Sequence, residues 1–448
     1  MKPFRAFLLG TIFCASATSS VLAADVGACP HDSVGVPPQS NTTDKTQPFF
    51  IDTSGLDLKS APPTRDPGNP AYPTATALPD GTVPSTTGNG NFVIGPTHPV
   101  APDTVAHQGV PHGTVHTFTM SSADSVRYRP GTVRDDAPDC RNSALEHATT
   151  APGDRSNLIV TTSHAGNWVR NIDVYVPAGY HPGKTMPFLV FGDGGANGFT
   201  NETQLFATLD NLIRAGRLPA MVAIGIGSGG QDAQGAERGR EYDTVSGTYA
   251  EWVEHEVLPL VERNADVRLT RDPNGRATMG ISSSGVAAFT MAWFHPELYG
   301  RVLAYSPTMV NQQWPHDTAL PGGAWEYHSA WPGPSAPDLL VHGVTFEATT
   351  QSTGAPLIPN APRKPIRYWF ETGDRDLFYP VAALADGMHD WTLANENMAR
   401  VLAAKGYTYQ FVFARNAGHV DKGVVAQTLP EALEWVWAGY SPTRAKGN

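Results

Sequence analysis

The chain has 448 residues, 40% of them apolar, enough for a substantial buried core and, by length alone, for more than one domain. A formal net charge of −11 argues against nucleic acid as a partner. No Cys-x-x-Cys spacing and no Gly-x-x-x-x-Gly-Lys-Ser/Thr loop occurs, so neither a metal nor any other cofactor is expected.

Residues 1–23 read as a secretory leader: Lys2 and Arg5, an apolar stretch from Phe7 to about Cys14, then Ser and Ala up to Ala23-Ala24. That apolar stretch is too short to cross a bilayer and no other segment could span one, so no membrane span is expected. Export to a periplasmic or extracellular space follows, and there Cys29 and Cys140 fit one disulfide. Residues 24–107 are rich in Pro, Thr, Gly, Ser and Asp. Prolines recur too closely for a helix and apolar residues are too few for a core, which describes an extended arm or linker with Asn91 to Pro96 as a docked patch.

Residues 108–441 read as one folded domain. Val115 to Met120 alternates and predicts a strand, residues 134–166 a polar loop insertion, and Val169 to Pro177 a second strand. Continuous apolar runs at Phe188 to Phe191, Met221 to Ile226 and Val302 to Tyr305 suit strands buried on both faces. Between them lie helical patterns at Gln204 to Ala215 and Thr248 to Arg263, the second with Tyr249, Trp252, Val253, Val257, Leu260 and Val261 on one face. Strand–helix alternation after an early antiparallel pair predicts the α/β class, a mostly parallel central sheet with helices on both faces.

The segment Gly280-Ile281-Ser282-Ser283-Ser284-Gly285 joins an apolar run to an Ala-rich one. A strand, a very tight turn and a helix with serine at the turn is the way an α/β-hydrolase presents a nucleophile. Only Ser282 has small residues both two before and two after it, Gly280 and Ser284. Further on, the strand-like run Ile366 to Phe370 ends in Glu371-Thr372-Gly373-Asp374-Arg375-Asp376, placing a carboxylate where catalytic groups of open sheets gather. Beyond Asp376 the histidines are His389, inside a helical pattern from Ala382 to Lys405, and His419, in the loop after Tyr409 to Phe413. The loop position suits a base that must reach Ser282 and be held by a carboxylate. An oxyanion would be met by the Ser283 N–H and by a glycine N–H of the loop Phe191 to Asn197, with Gly194 and Gly195 both candidates.

Several stretches together resemble the enterochelin (siderophore) esterase family of the esterase D group. They are Gly-x-Ser-Ser-x-Gly at 280–285, Met291 to Tyr299, Gly-x-x-Asp at 373–376, Arg238 to Ser246, Leu209 to Ile213 and Gly109 to His116. The resemblance implies an α/β-hydrolase fold over about Asn91 to Tyr440, with Ser282 as nucleophile, Asp376 as acid and His419 as base. It departs at Ser284, where the group has glycine. In the siderophore branch the loop matching Arg238 to Asp243 lies near the active site. Arg238 or Arg240 could therefore hold an anionic substrate, or Arg240 could pair structurally with Glu241 or Asp243. Trp314, Trp325 and Trp369 are candidates for an aromatic acyl pocket or for core packing. The expectation is a secreted serine esterase acting on a small-molecule ester, of siderophore type by resemblance. A feruloyl or acetyl carbohydrate esterase, an acyltransferase on the same fold, and a non-catalytic binding module are the rivals.

Overall fold

The computed structural model describes residues 74–134, 163–195, 202–230, 236–310, 312, 320, 322–330, 340, 341, 344, 345, 355–377 and 390–441. The leader, residues 24–73 of the arm, Cys29, Cys140, Trp314 and His389 lie outside them.

The apolar runs form the middle of a sheet that has ten strands among the described residues. In chain order its strands are β1 (Ala75–Ala77), β2 (Gly90–Ile94), β3 (Thr114–Ser121), β4 (Val169–Val176), β5 (Phe188–Gly192), β6 (Val222–Ile226), β7 (Arg276–Ile281), β8 (Arg301–Tyr305), β9 (Arg367–Arg375) and β10 (Thr408–Gly418). Their order across the sheet is β1-β2-β10-β9-β8-β7-β5-β6-β4-β3. Pairing is parallel from β1 across to β6, then antiparallel at β6–β4 and β4–β3. Every residue of β5, β6, β7 and β8 is buried; β5 and β6 are accordingly continuous apolar runs, while β7 and β8 open on the buried Arg276 and Arg301, and edge strand β3 alternates.

The helices include α1 (Glu202–Arg214), α2 (Glu237–Tyr242), α3 (248–264), α4 (Ser282–Phe294), α5 (Trp391–Ala404) and α6 (Lys422–Trp437). Two apolar clusters flank the sheet. One holds Trp252 of α3, Phe289 of α4 and Met398 of α5 with the even residues Tyr368 and Phe370 of β9. The other holds Leu209 of α1 and Leu433 of α6 with Trp369 of β9. This is the α/β-hydrolase arrangement, helices on both faces of a mostly parallel sheet. The insertion expected at 134–166 begins and ends in a short antiparallel pair, Gly131–Arg134 with Ser163–Gly166.

The boundary near residue 107 needs correction, because the last part of the arm belongs to the domain. Strand β2 adds to β10 in parallel over five residues and buries Val93 and Ile94. Gln410 Nε2 donates to the carbonyls of Ser85 and Gly88, at 3.1 and 2.8 Å, and Trp435 Nε1 donates to Gly88 at 2.6 Å. Farther along, the His98 ring bridges the Arg415 carbonyl and Gln427 Oε1, both at 2.8 Å. A short strand near a sheet edge is held largely by main-chain bonds and needs few apolar residues, so composition concealed it. Residues 90–94 do more than dock.

A chain beginning at Ala75 is expected to melt close to one beginning at Thr97 only if β2 is dispensable. Losing two buried aliphatic side chains, each worth about 1.5–3 kcal/mol, should lower the midpoint of the shorter chain by roughly 10 °C. Thermal melts of the two chains check this.

Candidate active site

Parallel strands bring their C-terminal ends to one edge, and the chain is bent most sharply there. Among the described residues six non-glycines have left-handed φ, and five of them follow or end these strands: Asp193 (56°) after β5, Ser282 (52°) after β7, Ser306 (45°) after β8, and Asn416 (57°) and Val420 (49°) on either side of His419. Such backbone costs of order 1–3 kcal/mol per residue and persists where surrounding contacts impose it. For β-branched Val420 it is least natural. Its N–H is held by Ser306 Oγ at 2.9 Å, and the Ser306 N–H is held by the Glu371 carbonyl at 2.8 Å.

Ser282, Asp376 and His419, far apart in sequence, meet at this edge. His419 Nε2 lies 2.9 Å from Ser282 Oγ, and His419 Nδ1 lies 2.6 Å from Asp376 Oδ1. Asp376 is 1% exposed; it also accepts from the Leu377 N–H at 2.7 Å and the Thr372 hydroxyl at 2.9 Å. A carboxylate with that many donors is fixed in orientation. The Trp391 ring stands edge-on to the imidazole at 5.8 Å and limits its swing. Gly373 makes the meeting possible: a Cβ there would stand 2.2 Å from the Ala417 carbonyl, and a register shift at Gly373/Arg375 turns β9 toward the His419 loop. Asp374 faces another way and accepts from the Ala417 N–H at 3.2 Å.

The turn at Ser282 is the expected elbow. A Cβ on Gly280 would lie 2.1 Å from the Ser284 carbonyl, so only glycine fits. Ser284, the departure from the family pattern, is accommodated from outside the motif. A Cβ on Gly192, the last residue of β5, would lie 2.7 Å from the Ser284 Cβ, so Gly192 makes the room. The Ser284 hydroxyl then accepts from the Ile281 N–H at 2.9 Å and donates to its carbonyl at 2.8 Å. The second glycine was legible only as part of the Gly-rich stretch Gly192-Asp193-Gly194-Gly195.

Three expected roles change. Gly194 donates its N–H to the Ile226 carbonyl at 3.0 Å and is therefore not an oxyanion donor; Gly195, with φ of 91°, is the candidate that stays. Arg240 is engaged by groups of the protein itself. It donates to the Pro130 carbonyl at 2.7 Å, lies 3.5 Å from Glu237 and sits over the Tyr128 ring. Its carboxylate partner is thus Glu237, neither Glu241 nor Asp243. Arg238 is buried in a two-pronged pair with Asp193, at 2.7 and 2.8 Å. Trp369 packs in the core against Tyr305, and Trp325 is buried beside His328.

Two buried carboxyls near the site are pushed upward by loss of water. Burial, then the Asp376 and Asp421 charges, hold Glu371 well above the usual carboxylate range, so it is neutral and adds no second charge behind Asp376. Burial also raises Asp243 to about 7, against the lowering effects of Gln312, Arg238 and Ser283. His112 and His116 stand four residues apart, a spacing that gathers metal ligands on a helix, but His116 lies in β3 and His112 binds Asp210 at 3.0 Å. Among the described residues no group of three His, Cys, Asp or Glu is placed to hold a metal, and no helix is long and apolar enough to cross a membrane.

Residues 163–392, just over half of the chain, match the family described as Putative esterase. The Uncharacterized protein YbbA of Bacillus subtilis (strain 168) is 25% identical over 146 residues, 31% of this chain and 56% of that protein. The chain thus spans about half the length of this curated relative. Among solved structures, a CE1 ferulic acid esterase from Anaeromyces mucronatus aligns at 14% identity over 75% of this chain and 96% of its own, with a TM-score of 0.43. An enterochelin esterase from Shigella flexneri aligns at 19% identity over 60% of this chain and 55% of its own, with a TM-score of 0.39. Likenesses that distant add nothing to the strand order and geometry described above.

Proposed function

Since the chain belongs to the Putative esterase family, we propose that it is a carboxylic ester hydrolase, an exported serine esterase whose triad is Ser282, His419 and Asp376. The observation that carries this reading is the unbroken line from Ser282 Oγ through both ring nitrogens of His419 to Asp376. Ser282 Oγ attacks the ester carbonyl carbon while its proton passes to His419 Nε2. Asp376 accepts from Nδ1–H and stabilises the imidazolium. The carbonyl oxygen becomes an oxyanion facing the Ser283 N–H and the N–H of Gly195. On collapse the C–O bond to the alcohol breaks, and the leaving oxygen takes the proton from His419. Water, deprotonated by His419, then attacks the acyl carbon and returns Ser282 to its free hydroxyl.

The substrate is a small-molecule ester, of siderophore type on the motif resemblance. Neither Arg238 nor Arg240 supplies the anion contact that such a substrate would favour, so the alcohol and acyl parts must be recognised elsewhere. Export rests on the leader pattern of residues 1–23; protein recovered outside the cytoplasm should have the mass of a chain starting near Asp25. A fluorophosphonate tests the chemistry: it should attach to Ser282, as read by peptide mass, and labelling should vanish in Ser282→Ala. Unlabelled protein from the same preparation is offered a catecholate trilactone, feruloyl and acetyl-sugar esters, and simple aryl esters. Attachment elsewhere, or none, refutes the triad; preference for the feruloyl or acetyl-sugar ester refutes the siderophore reading alone.

A further inference from the structure

An oxyanion hole needs donors from two separate segments to converge on one point, to within about half an ångström. Here those segments are the loop after β5 and the first turn of α4. Both are tied to the short, charge-rich helix α2. Arg238 grips both oxygens of Asp193, the residue whose φ of 56° aims the following Gly194-Gly195. One turn on, the Tyr242 hydroxyl accepts the Asp193 N–H at 3.0 Å, so main chain and side chain of that residue are both fixed. Asp243 closes α2, donating its own N–H to the Gly239 carbonyl at 2.8 Å. Its carboxyl accepts from the Ser283 hydroxyl and, at 3.0 Å, from Gln312 Nε2, which also donates to Ser283 Oγ at 3.3 Å.

Asp193, Arg238, Asp243, Ser283 and Gln312 are each at most 5% exposed. A buried network of this kind is weak evidence for stability, because removing its charges from water costs several kcal/mol per ion and well-packed apolar residues often serve as well. What it supplies is direction. The Asp243 carboxyl, pushed up to about 7, shows that cost is present here. Gly192 completes the fit, since a Cβ there would meet both the Ser284 Cβ, at 2.7 Å, and the Tyr242 hydroxyl, at 3.1 Å.

We propose that α2 is a jig for the oxyanion hole, in which Arg238 and Tyr242 set the Asp193–Gly195 loop while Asp243, with Gln312, sets Ser283. The inference rests on the serine esterase reading above and assigns these as positioning residues. They act only on the transition state, because the ester carbonyl becomes an oxyanion only there, so they should govern kcat and leave KM alone.

The test compares wild type with Asp243→Ala, Asp243→Asn and Tyr242→Phe. It measures kcat and KM on an aryl acetate and the affinity for phenylboronic acid, whose adduct with Ser282 places an anionic oxygen in the hole. Direct loss of one donor costs about 10²–10³ in kcat, so Asp243→Ala and Tyr242→Phe, which act at one remove, should lower kcat about tenfold. KM should stay within about twofold, and boronate affinity should fall by the same factor as kcat. Asp243→Asn should recover most of the loss, because its amide oxygen can still accept from Ser283 and Gln312. If Asp243→Ala does not fold, Tyr242→Phe, which removes a single oxygen, decides alone. An unchanged kcat in the folded variants, or a raised KM at constant kcat, overturns the proposal. Fluorophosphonate labelling of wild type separates the two readings: an unlabelled, inactive wild type overturns both, and a labelled one with indifferent variants overturns only the role of α2.

Discussion

Ser282→Ala is expected to lower turnover of an activated aryl ester by at least about 10⁴-fold, with the melting midpoint nearly unchanged. No neighbour can take its place. The Ser283 hydroxyl is turned inward to Asp243 and Gln312, and the Ser284 hydroxyl closes on the Ile281 main chain. Of the three, Ser282 alone touches His419 Nε2, and its left-handed backbone is what points it there. Steady-state kinetics with melts of the same preparations check this. A variant with near-normal rates would mean that the hydrolysis measured does not pass through the elbow.

Asp376→Asn should cost about 10⁴-fold in kcat, because an amide in that place favours the wrong imidazole tautomer and cannot stabilise the cation. Asp374→Asn, two residues earlier, should stay within about threefold, since an amide oxygen can still accept the Ala417 N–H it now binds. Glu371 offers no rescue in the first variant; buried and neutral, it is no substitute for a charged carboxylate. Measured together, the pair discriminates: the larger loss in Asp374→Asn would move the acid and undo the argument from Gly373.

The parts of the fold that were legible are those in which side-chain burial dictates residue type. Strands β5 and β6 are buried on both faces and are written as unbroken apolar runs, as is β8 after Arg301, and the order serine, aspartate, histidine behind β7, β9 and β10 marked the three residues that meet at the sheet edge. Where main-chain contacts hold the structure, composition is silent. Strand β2 is secured by a ladder and by carbonyls that accept from Gln410 and Trp435, so a Pro-rich stretch hid a sheet edge. Charge was the other blind spot. Arg238 and Glu241 look like surface residues in a sequence, yet both are buried because each finds an oppositely charged partner, Asp193 and Arg170. The choice between Gly194 and Gly195 required knowing that the Ile226 carbonyl stands opposite the first of them.

The left-handed residues also decide where this protein can be made hardier. Five of the six described ones border the triad or the oxyanion loop, so relaxing Val420 or Ser306 to glycine would ease the backbone while loosening His419. The sixth, Asp266 with φ of 48°, lies in the turn after α3, away from the triad. Engineering for thermal tolerance therefore has a free hand at Asp266 and almost none at the rim of the sheet, where rigidity and activity draw on the same few dihedral angles.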